Sequence, residues 1–475
     1  MLPKHLSQEI LNTIEYEPTG NQVEAIKAFS DFFFDTEQRI LIINGYAGTG
    51  KTTLVKLFVE VLRKYRYPYV LLAPTGRAAK VLSNYCQSTA YTIHKYIYRQ
   101  LSADNFKFVL NFNTQKNTIF FIDESSLISN EAGEFTIFGS GRLLDDLQEF
   151  VFSSLQNKLV FIGDTAQLPP VGSSFHPALA IETFQSFHIP TRKIEIKEVV
   201  RQQMESLINV NATTLRHHIE NGIIEIPFFK QKDKEFLYIS SSESLEYLSS
   251  SYDSVGLDET IVLCYSNKRA LQFNKAIRSR IFYYEEEVVR NELLMVVKNN
   301  YFTKPANRML DFIANGEMIY VRQMKKHEEM YGFKFLTVSA ELSNTSGGNL
   351  ESCLMLDTLY SEAPSLSREK QEELYKNVMQ DYISIKSKRK RMSMMRENPY
   401  FNALQVKYAY AVTTHKAQGG QWKHVYIDAS FFRYVTMGVE QLKWLYTAIT
   451  RATEKVYIID MPSQFAENFT NHKFA

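Results

Sequence analysis

An apolar run that leads directly into a glycine-rich turn is the feature that most restricts what this chain can fold into. Residues 40–43 are Ile-Leu-Ile-Ile, residues 45–53 are Gly-Tyr-Ala-Gly-Thr-Gly-Lys-Thr-Thr, and a helical stretch runs from 53 to 64. The apolar run predicts a buried strand of a parallel sheet. The G-x-x-x-x-G-K-T spacing predicts a loop whose backbone N–H groups converge on one phosphate chain. We therefore expect an α/β fold with a nucleoside triphosphate site where strand meets helix.

The side chains of this loop have separate expected roles. Lys51 is expected to reach the β- and γ-phosphates, and the Thr52 hydroxyl is expected to ligate Mg²⁺. The helix that follows adds the positive end of its dipole. The alternative is a glycine-rich turn without a ligand. The residues predicted to bind the nucleotide are Gly45, Ala47, Gly48, Thr49, Gly50, Lys51, Thr52 and Thr53.

Length and composition limit the class of protein. A chain of 475 residues is too long for one core, so we expect two to four domains. No stretch approaches the ~20 apolar residues of a membrane helix, and residues 1–5 lack the apolar core of a signal peptide. Cys86, Cys264 and Cys353 are far apart, which indicates a reducing cytoplasm and no disulfide or metal framework. The net charge of +2 neither favours nor excludes nucleic acid.

Apolar runs alternate with helical stretches in two parts of the chain. In the first part the runs are 40–43, 69–73, 118–122 and 158–162. In the second part they are 260–264, 409–413, 425–428 and 455–459. This alternation predicts parallel sheets whose functional loops lie at the carboxyl ends of the strands. We therefore predict two similar α/β halves with a cleft between them.

Two segments interrupt the α/β halves. Residues 86–117 are too long for a simple crossover and contain Phe106 and Phe108, which alternate as in a hairpin strand. Residues 316–356 have the pattern of a small antiparallel barrel, and 367–395 have that of helices. The predicted domains are a first domain at 1–200 with its inserted hairpin at 86–117, a second domain in two parts at 201–299 and 401–475, and an insertion at 300–400.

Carboxylates and an amide follow two further strands of the first half. Asp123 is expected to hold Mg²⁺ through its water shell, and Glu124 is expected to orient and polarise the attacking water. The alternative is an acidic strand end that caps the next helix. Gln167 follows the run at 158–162, and its amide suits a sensor that hydrogen-bonds either the γ-phosphate or water. Alone, that segment would be a turn containing Asp and Pro.

These elements, in this order, resemble the motifs of superfamily-1 helicases, and most closely those of the RecD/Dda-like branch. Motifs V and VI are the specific ones, because generic P-loop ATPases lack them. The resemblance implies two tandem RecA-like parallel-sheet domains, an inserted β-hairpin pin and a small SH3-like β-barrel insertion. The Q motif and motifs I, Ia, II, III, IV, V and VI correspond to residues 19–22, 45–53, 73–79, 123–124, 163–167, 200–202, 410–419 and 444–452.

The resemblance implies further residues around the nucleotide. Gln22 would pair with the adenine edge, although an amide near a chain start is often just exposed. Arg201 and Arg451 would act as arginine fingers on the γ-phosphate, although a surface ion pair is the common alternative for any arginine. Gly419 is counted with the nucleotide-binding residues. With ATP and Mg²⁺ as cofactors, the implied catalytic residues are Lys51, Asp123, Glu124, Gln167, Arg201 and Arg451.

The resemblance also implies residues that bind nucleic acid. Hydroxyls, backbone N–H groups and a few cations hold phosphates without recognising sequence. Thr92 and His94 resemble a further strand-contacting element, although His94 would equally suit a structural role. The two main phosphate-binding loops comprise Pro74, Thr75, Gly76 and Arg77 in the first half and Thr413, Thr414, His415 and Lys416 in the second.

The aromatic residues of the insertion and one basic run complete the expectations. Phe106 or Phe108, at the tip of the implied pin, would split the junction base pair by stacking on it, or would instead pack against its own domain. The basic run at 386–391 suits either a phosphate backbone or a solvated helix face.

The implied activity is ATP-dependent unwinding of duplex DNA by 5′-to-3′ movement on single-stranded DNA. The expected partners are single-stranded DNA and duplex junctions, with no membrane, and the expected state is a cytoplasmic monomer. Two alternatives stay open. One is a superfamily-1 RNA helicase, because the predicted phosphate contacts do not test for a 2′-hydroxyl. The other is a P-loop ATPase without a nucleic-acid role, which would leave residues 410–419 unexplained.

Overall fold

The structure is a computed structural model that describes residues 3–102, 105–132, 138–154, 156–200, 206–231, 235–300, 313, 315–343 and 349–465, with only the backbone at 100–102, 105–107 and 464. Its helices are α1 (Pro3–Asn12), α2 (Gly20–Phe34), α3 (Lys51–Lys64), α4 (Gly76–Cys86), α5 (Ile93–Ile97), α6 (Leu143–Phe152), α7 (Ile181–Gln185), α8 (Leu207–Glu220), α9 (Ser241–Val255), α10 (Asn267–Arg280), α11 (Arg368–Gln380), α12 (Lys388–Glu397), α13 (Thr414–Ala417) and α14 (Val439–Ile449).

Its strands are β1 (Ile40–Gly45), β2 (Tyr69–Ala73), β3 (Ala90–Thr92), β4 (Tyr98–Ser102), β5 (Asn105–Leu110), β6 (Ile119–Ile122), β7 (Lys158–Gly163), β8 (Thr191–Ile196), β9 (Phe236–Ile239), β10 (Thr260–Cys264), β11 (Leu293–Val296), β12 (Met318–Met330), β13 (Phe333–Leu342), β14 (Asn349–Met355), β15 (Leu404–Tyr408), β16 (Ala411–Thr413), β17 (Trp422–Asp428) and β18 (Ala452–Ile459). No helix among the described residues is both long enough and apolar enough to cross a membrane.

The chain forms two compact units. The first comprises Met1–Leu101, Phe106–Lys230 and Met437–Thr450, and the second comprises Ser102–Asn105, Gln231–Thr436 and Arg451–Ala475. The first unit extends beyond the predicted domain limit at residue 200, because α8 packs within it. Helix α14, which lies far along the chain in the segment predicted for the second domain, also packs with the first unit against α8.

The first unit is built on a six-stranded parallel sheet in the order β3-β2-β6-β7-β1-β8. Strand β1 is buried along its whole length between β7 and β8. Its side chains alternate between two cores, with Leu41 and Ile43 in one and Ile40 and Ile42 in the other. A central strand with helices on both faces must be apolar on both sides. The predicted α/β fold is therefore confirmed for this unit.

The second unit contains a five-stranded parallel sheet in the order β16-β10-β17-β18-β9. This confirms the prediction of a second, tandem RecA-like sheet. The predicted run at 409–413 is divided in the structure, because its residues beyond Tyr410 form β16 while the preceding strand β15 belongs to a different sheet.

A closed five-stranded barrel, in the order β11-β12-β13-β14-β15, forms the rest of the second unit with α11 and α12. The predicted barrel is confirmed, but its extent differs from the predicted insertion at 300–400. Strands β11 and β15 lie outside those limits and close the barrel by pairing with each other and with β12 and β14. Closure removes the exposed edges that three antiparallel strands alone would leave.

The insertion in the first half contains the predicted strand pair, since β4 and β5 form a two-stranded sheet. The basic run at 386–391 lies around the start of α12, where Ser387 caps the helix and the lysines at 386, 388 and 390 are exposed. Four cations in a first helical turn oppose the helix dipole.

Candidate functional site

The phosphate-binding loop lies between β1 and α3 and has the curled backbone that its sequence predicts. Gly48 and Gly50 adopt left-handed φ angles of 77° and 80°. The left-handed φ of Gly50 favours glycine, and a Cβ atom there would also lie 2.6 Å from Nε2 of Gln22. The ammonium group of Lys51 donates to the carbonyl of Tyr46, 2.8 Å away, within the loop. Loop and helix therefore fit a nucleoside triphosphate.

The side chain of Gln22 is hydrogen-bonded to the backbone of this loop. Its Nε2 donates to the carbonyl of Thr49 at 3.0 Å, and its Oε1 accepts from the backbone N–H of Thr19 at 3.1 Å in a capping box at the start of α2. The side chain is fully buried, so the alternative of an exposed amide is wrong. Both ends of the amide are bonded to the protein, and pairing with adenine remains a prediction.

Asp123 and Glu124 follow β6 at the carboxyl edge of the same sheet. Asp123 is buried, and its Oδ1 accepts from the backbone N–H of Glu124 at 2.9 Å. Burial and the charge of Glu124 raise the pKa of Asp123, while the charge of Lys51 acts in the opposite direction. Together with the hydroxyl of Thr52, the Asp123 carboxylate is the group suited to a divalent cation, which would lower the same pKa.

The backbone of Glu124 is left-handed, with φ of 51°. For a residue with a Cβ atom this conformation costs roughly 1–2 kcal/mol, and such strain concentrates at functional sites. Glu124 precedes the short turn Ser125–Leu127 but makes no side-chain cap to it. The alternative of a simple capping residue is therefore not supported.

Gln167 lies in the loop after β7, and its side-chain oxygen is a buried hydrogen-bond acceptor. Its side chain is buried, and within the described residues nothing hydrogen-bonds its Oε1. Buried amide oxygens are normally paired. An acceptor without a partner beside the phosphate loop suits a water molecule or another donor near the γ-phosphate.

Tyr446, on α14, connects the two nucleotide loops and was not predicted. Its hydroxyl accepts from the backbone N–H of Ala47 at 2.9 Å and donates to Oδ2 of Asp164 at 2.8 Å. Burial and the charge of Asp164 raise the pKa of Tyr446. Next to it, the Thr447 hydroxyl accepts from the N–H of Leu168 at 2.8 Å. The sequence signal was only that both residues fall within 444–452.

The predicted nucleic-acid loops of the first unit follow neighbouring strands. Thr75 and Thr92 cap the helices after β2 and β3, accepting from the N–H groups of Ala78 at 3.2 Å and Lys95 at 3.3 Å. The register pairs Ala73 with Thr92, which brings the two caps to one sheet edge. The other predicted residues of the first loop, Pro74, Gly76 and Arg77, are half-buried there.

His94 and Phe108 pack within the first unit. The His94 ring lies 5.7 Å from that of Tyr98 and 5.2 Å from that of Phe138 between centroids, and burial lowers the pKa of His94 to about 4. A neutral imidazole does not attract phosphate by charge, so the structure favours the structural role. Phe108 stacks on Phe138 at 4.7 Å within β5, which corrects its predicted place at the hairpin tip. Phe106 lies on β5 with its side chain outside the described residues.

In the second unit, the predicted loop follows β16. Thr413 and Thr414 are buried, and Thr414 is fully so, which does not fit its predicted contact with a phosphate. His415 and Lys416 are partly exposed. Lys416 donates to the carbonyl of Pro364 at 3.3 Å, and burial, with the nearby charge of Lys407, lowers the pKa of Lys416 to about 8.

The two predicted arginine fingers have different outcomes. Arg451 is buried and donates from Nη1 to the carbonyl of Gly420 at 3.3 Å, so the alternative of a surface ion pair is wrong for this residue. Gly419, beside that carbonyl, is buried and has a left-handed φ of 74°. Arg201 lies outside the described residues.

A phosphate loop, an acidic pair and a buried glutamine on one parallel sheet, in a chain with a second parallel sheet, define a P-loop ATPase with two RecA-like domains. Family models match two segments: the AAA domain matches residues 19–226, and the UvrD-like helicase C-terminal domain matches residues 408–459.

Several relatives match over much of the chain. An uncharacterised protein of Acanthamoeba polyphaga mimivirus is 24% identical, covering 92% of this chain and 98% of its own length. The RecD subunit of the RecBCD enzyme of Buchnera aphidicola is 22% identical, covering 90% and 71%. The ATP-dependent DNA helicase dda of Enterobacteria phage T4 is 25% identical, covering 59% and 62%. A solved structure of Pif1 helicases at forked DNA aligns with a TM-score of 0.48, 16% identity and coverage of 96% and 98%.

The family models and the relatives identify the chain as a superfamily-1 helicase of the RecD/Dda type. It is therefore an enzyme of the ATP-dependent helicase class, as the order of its motifs predicts.

Proposed function

We propose that this helicase hydrolyses ATP to move 5′-to-3′ along single-stranded DNA and to unwind duplex DNA. One observation carries the proposal: the loops after β1, β6 and β7 that hold Lys51, Glu124 and Gln167 share a sheet edge with the caps that follow β2 and β3. Nucleotide and nucleic-acid loops at one sheet edge lie close together, which supports a coupling of ATP hydrolysis to the strand contacts.

The residues of the nucleotide site have distinct proposed roles. The Lys51 ammonium neutralises charge on the β- and γ-phosphates, and the Glu124 carboxylate accepts the proton of the attacking water. Gln167 orients that water through its Oε1, to which no described residue donates a hydrogen bond. Mg²⁺, held by Thr52 and Asp123, would supply positive charge at the phosphate oxygens.

Arg201 and Arg451 are the proposed arginine fingers, and Gln22 is the proposed adenine contact. The choice of DNA is supported by the names of two relatives, the ATP-dependent RecD2 DNA helicase of Deinococcus radiodurans and the dda helicase of phage T4. The direction rests on the resemblance to the RecD/Dda branch. The proposed partners are single-stranded DNA and duplex junctions, and the proposed state is a cytoplasmic monomer.

The test is ATP hydrolysis measured alone, with single-stranded DNA and with single-stranded RNA. We expect strong stimulation by DNA, because strand contacts and nucleotide loops share one sheet edge. Lys51→Ala should abolish hydrolysis by removing the cation on the phosphates. Lys56→Ala is the matched control, since Lys56 is a partly exposed lysine on the same helix.

Two other outcomes of the hydrolysis assay would each identify one of the alternative functions. Stimulation by RNA alone would identify an RNA helicase. A steady ATPase rate that neither polymer changes would identify a P-loop ATPase without a nucleic-acid role and would overturn the proposal.

A further inference from the structure

An open groove of about 300 Å³ lies beside the edge strand β3, at the base of the β4–β5 strand pair. Its walls come from β3, α5, the segment 111–115 that leads towards β6, and Phe150 near the end of α6. None of its lining residues belongs to the nucleotide site or to the predicted DNA-binding residues. The volume is at the lower end of that found for small-ligand sites.

The groove presents aromatic rings with cations beside them. Phe112 is 76% exposed, which is unusual for a phenylalanine, and the guanidinium of Arg99 lies 4.8 Å from the centre of its ring. On the other wall, the rings of Tyr91 and Tyr96 are 5.6 Å apart, and Nζ of Lys95 lies 5.8 Å from the Tyr91 ring. An exposed ring beside a cation, here Phe112 with Arg99, is an arrangement on which an unpaired base stacks.

Arg99 supplies a second and independent observation. Its Nε is buried, and among the described residues it has no hydrogen-bond partner. A guanidinium nitrogen removed from water without an acceptor costs free energy. A phosphate oxygen is the acceptor that a guanidinium binds best. The guanidinium carbon of Arg99 lies 4.8 Å from the centre of the Phe112 ring, so the cation lies beside the stacking surface.

The segment 111–115 is held in place before any ligand binds. Nδ2 of Asn113 donates to the carbonyl of Phe150 at 2.9 Å, and its Oδ1 accepts from the N–H of Gln115 at 2.9 Å. Oδ1 of Asn111 accepts from the N–H of Phe112 at 2.9 Å. A fixed loop loses little conformational entropy on binding, so an exposed ring on it is a preorganised contact.

The positive charge at the groove favours an anionic ligand. Lys95 lines it, Arg99 flanks it, and no acidic side chain is among its lining residues. The amide of Gln115 and the hydroxyl of Tyr96 interact with each other inside it and offer polar atoms to a base edge. Aromatic faces, amides and cations together match a nucleotide unit of a single strand better than an apolar or acidic peptide.

We propose that this groove binds an unpaired nucleotide of single-stranded DNA, with the base stacked on Phe112 and the adjoining phosphate on Arg99. This site rests on the proposed function and adds a strand contact outside the loops after β2 and β3. Beside the strand pair, it holds a separated base and so keeps the strand from re-pairing.

The test is binding of fluorescent single-stranded DNA without nucleotide, followed by cross-linking from DNA that contains 5-iodouracil. Phe112→Ala should weaken binding about fivefold or more, because it removes one stacking contact. Arg99→Gln should also weaken it, and with a smaller dependence on salt. Phe187→Ala is the matched control, since Phe187 is exposed on the same unit away from the groove. Cross-links should map to the groove residues at 91, 95, 96 and 111–115.

The outcomes separate this site from the proposed function. Wild-type affinity for both variants, or cross-links only outside residues 91, 95, 96 and 111–115, would overturn the groove while DNA-stimulated hydrolysis still supported the motor. A wild-type protein that neither binds DNA nor is stimulated by it would overturn both. The rate of hydrolysis without DNA should be unchanged in both variants, because neither residue touches the nucleotide site.

Discussion

At the scale of single residues, the hydroxyl of Tyr446 links two loops of the nucleotide site by hydrogen bonds. The hydroxyl oxygen accepts a hydrogen bond from the N–H of Ala47 in the phosphate loop, and the hydroxyl donates one to Asp164 in the loop after β7. Both loops must keep their positions when phosphate charge changes. One buried hydroxyl therefore makes the position of each loop depend on the other.

Tyr446→Phe should lower the rate of ATP hydrolysis by about tenfold or more, because small displacements of catalytic loops are costly. It should also destabilise the protein by about 1–3 kcal/mol, since the Ala47 N–H and Asp164 lose a buried partner. Steady-state kinetics and thermal unfolding would measure the two effects. Tyr434→Phe is the control, because Tyr434 is 85% exposed. Wild-type kinetics for Tyr446→Phe would show that the bridge is not required.

The residues that the sequence located well are those fixed by the backbone. Lys51 begins the helix after β1, and Asp123 and Glu124 directly follow β6, so strand and loop patterns suffice to place them. The role of His94 could not be predicted in this way, because its ring packs against that of Phe138, which comes from a distant part of the chain. Partners of this kind are tertiary and leave no local pattern.

At the scale of elements, a buried ion pair joins the second parallel sheet to the barrel. Arg278 on α10 contacts Glu292 at the start of β11 at 3.0 Å, with both side chains almost fully buried. The hydroxyl of Tyr410, just before β16, donates to the same carboxylate at 2.8 Å. Glu292 therefore links helix α10 and the segment before β16 to the barrel strand β11.

Arg278→Met should lower the free energy of unfolding by about 3–5 kcal/mol, because it leaves the Glu292 carboxylate buried without its cation. Adding Glu292→Leu to it should recover part of that loss. Lys325→Met, which removes an exposed pair with Glu351, should cost under about 1 kcal/mol. Urea denaturation would compare the three proteins. Equal losses for Arg278→Met and Lys325→Met would contradict the role of the buried pair.

Two features of the strands could not be predicted from sequence patterns: which face of a strand is buried, and which sheet a short strand joins. The alternation of Phe106 and Phe108 predicted a strand, but a strand has two faces and the pattern does not say which one the domain covers. Phe108 packs on Phe138, while the exposed ring of Phe112 follows the strand. The barrel was predicted from its long strands, and the pattern of a short strand such as β11 or β15 does not say which sheet it joins.

At the scale of the whole molecule, the chain of this RecD/Dda-type helicase forms two parallel sheets and a barrel. The order β3-β2-β6-β7-β1-β8 explains why motifs distant in sequence act together, since parallel strands bring their carboxyl ends to one edge. The order of motifs along the chain predicted this fold. It did not predict that α14 packs with the first unit, because a helix gives no sign of which sheet it will contact.

The central claim, a motor that moves 5′-to-3′ on single-stranded DNA and unwinds duplex, is tested most directly by strand separation from tailed duplexes. Two duplexes of the same sequence, one with a 5′ overhang and one with a 3′ overhang, would be incubated with protein and ATP. We predict ATP-dependent unwinding only from the 5′ overhang, and none by Lys51→Ala. Unwinding only from the 3′ overhang, or from neither, would contradict the claim.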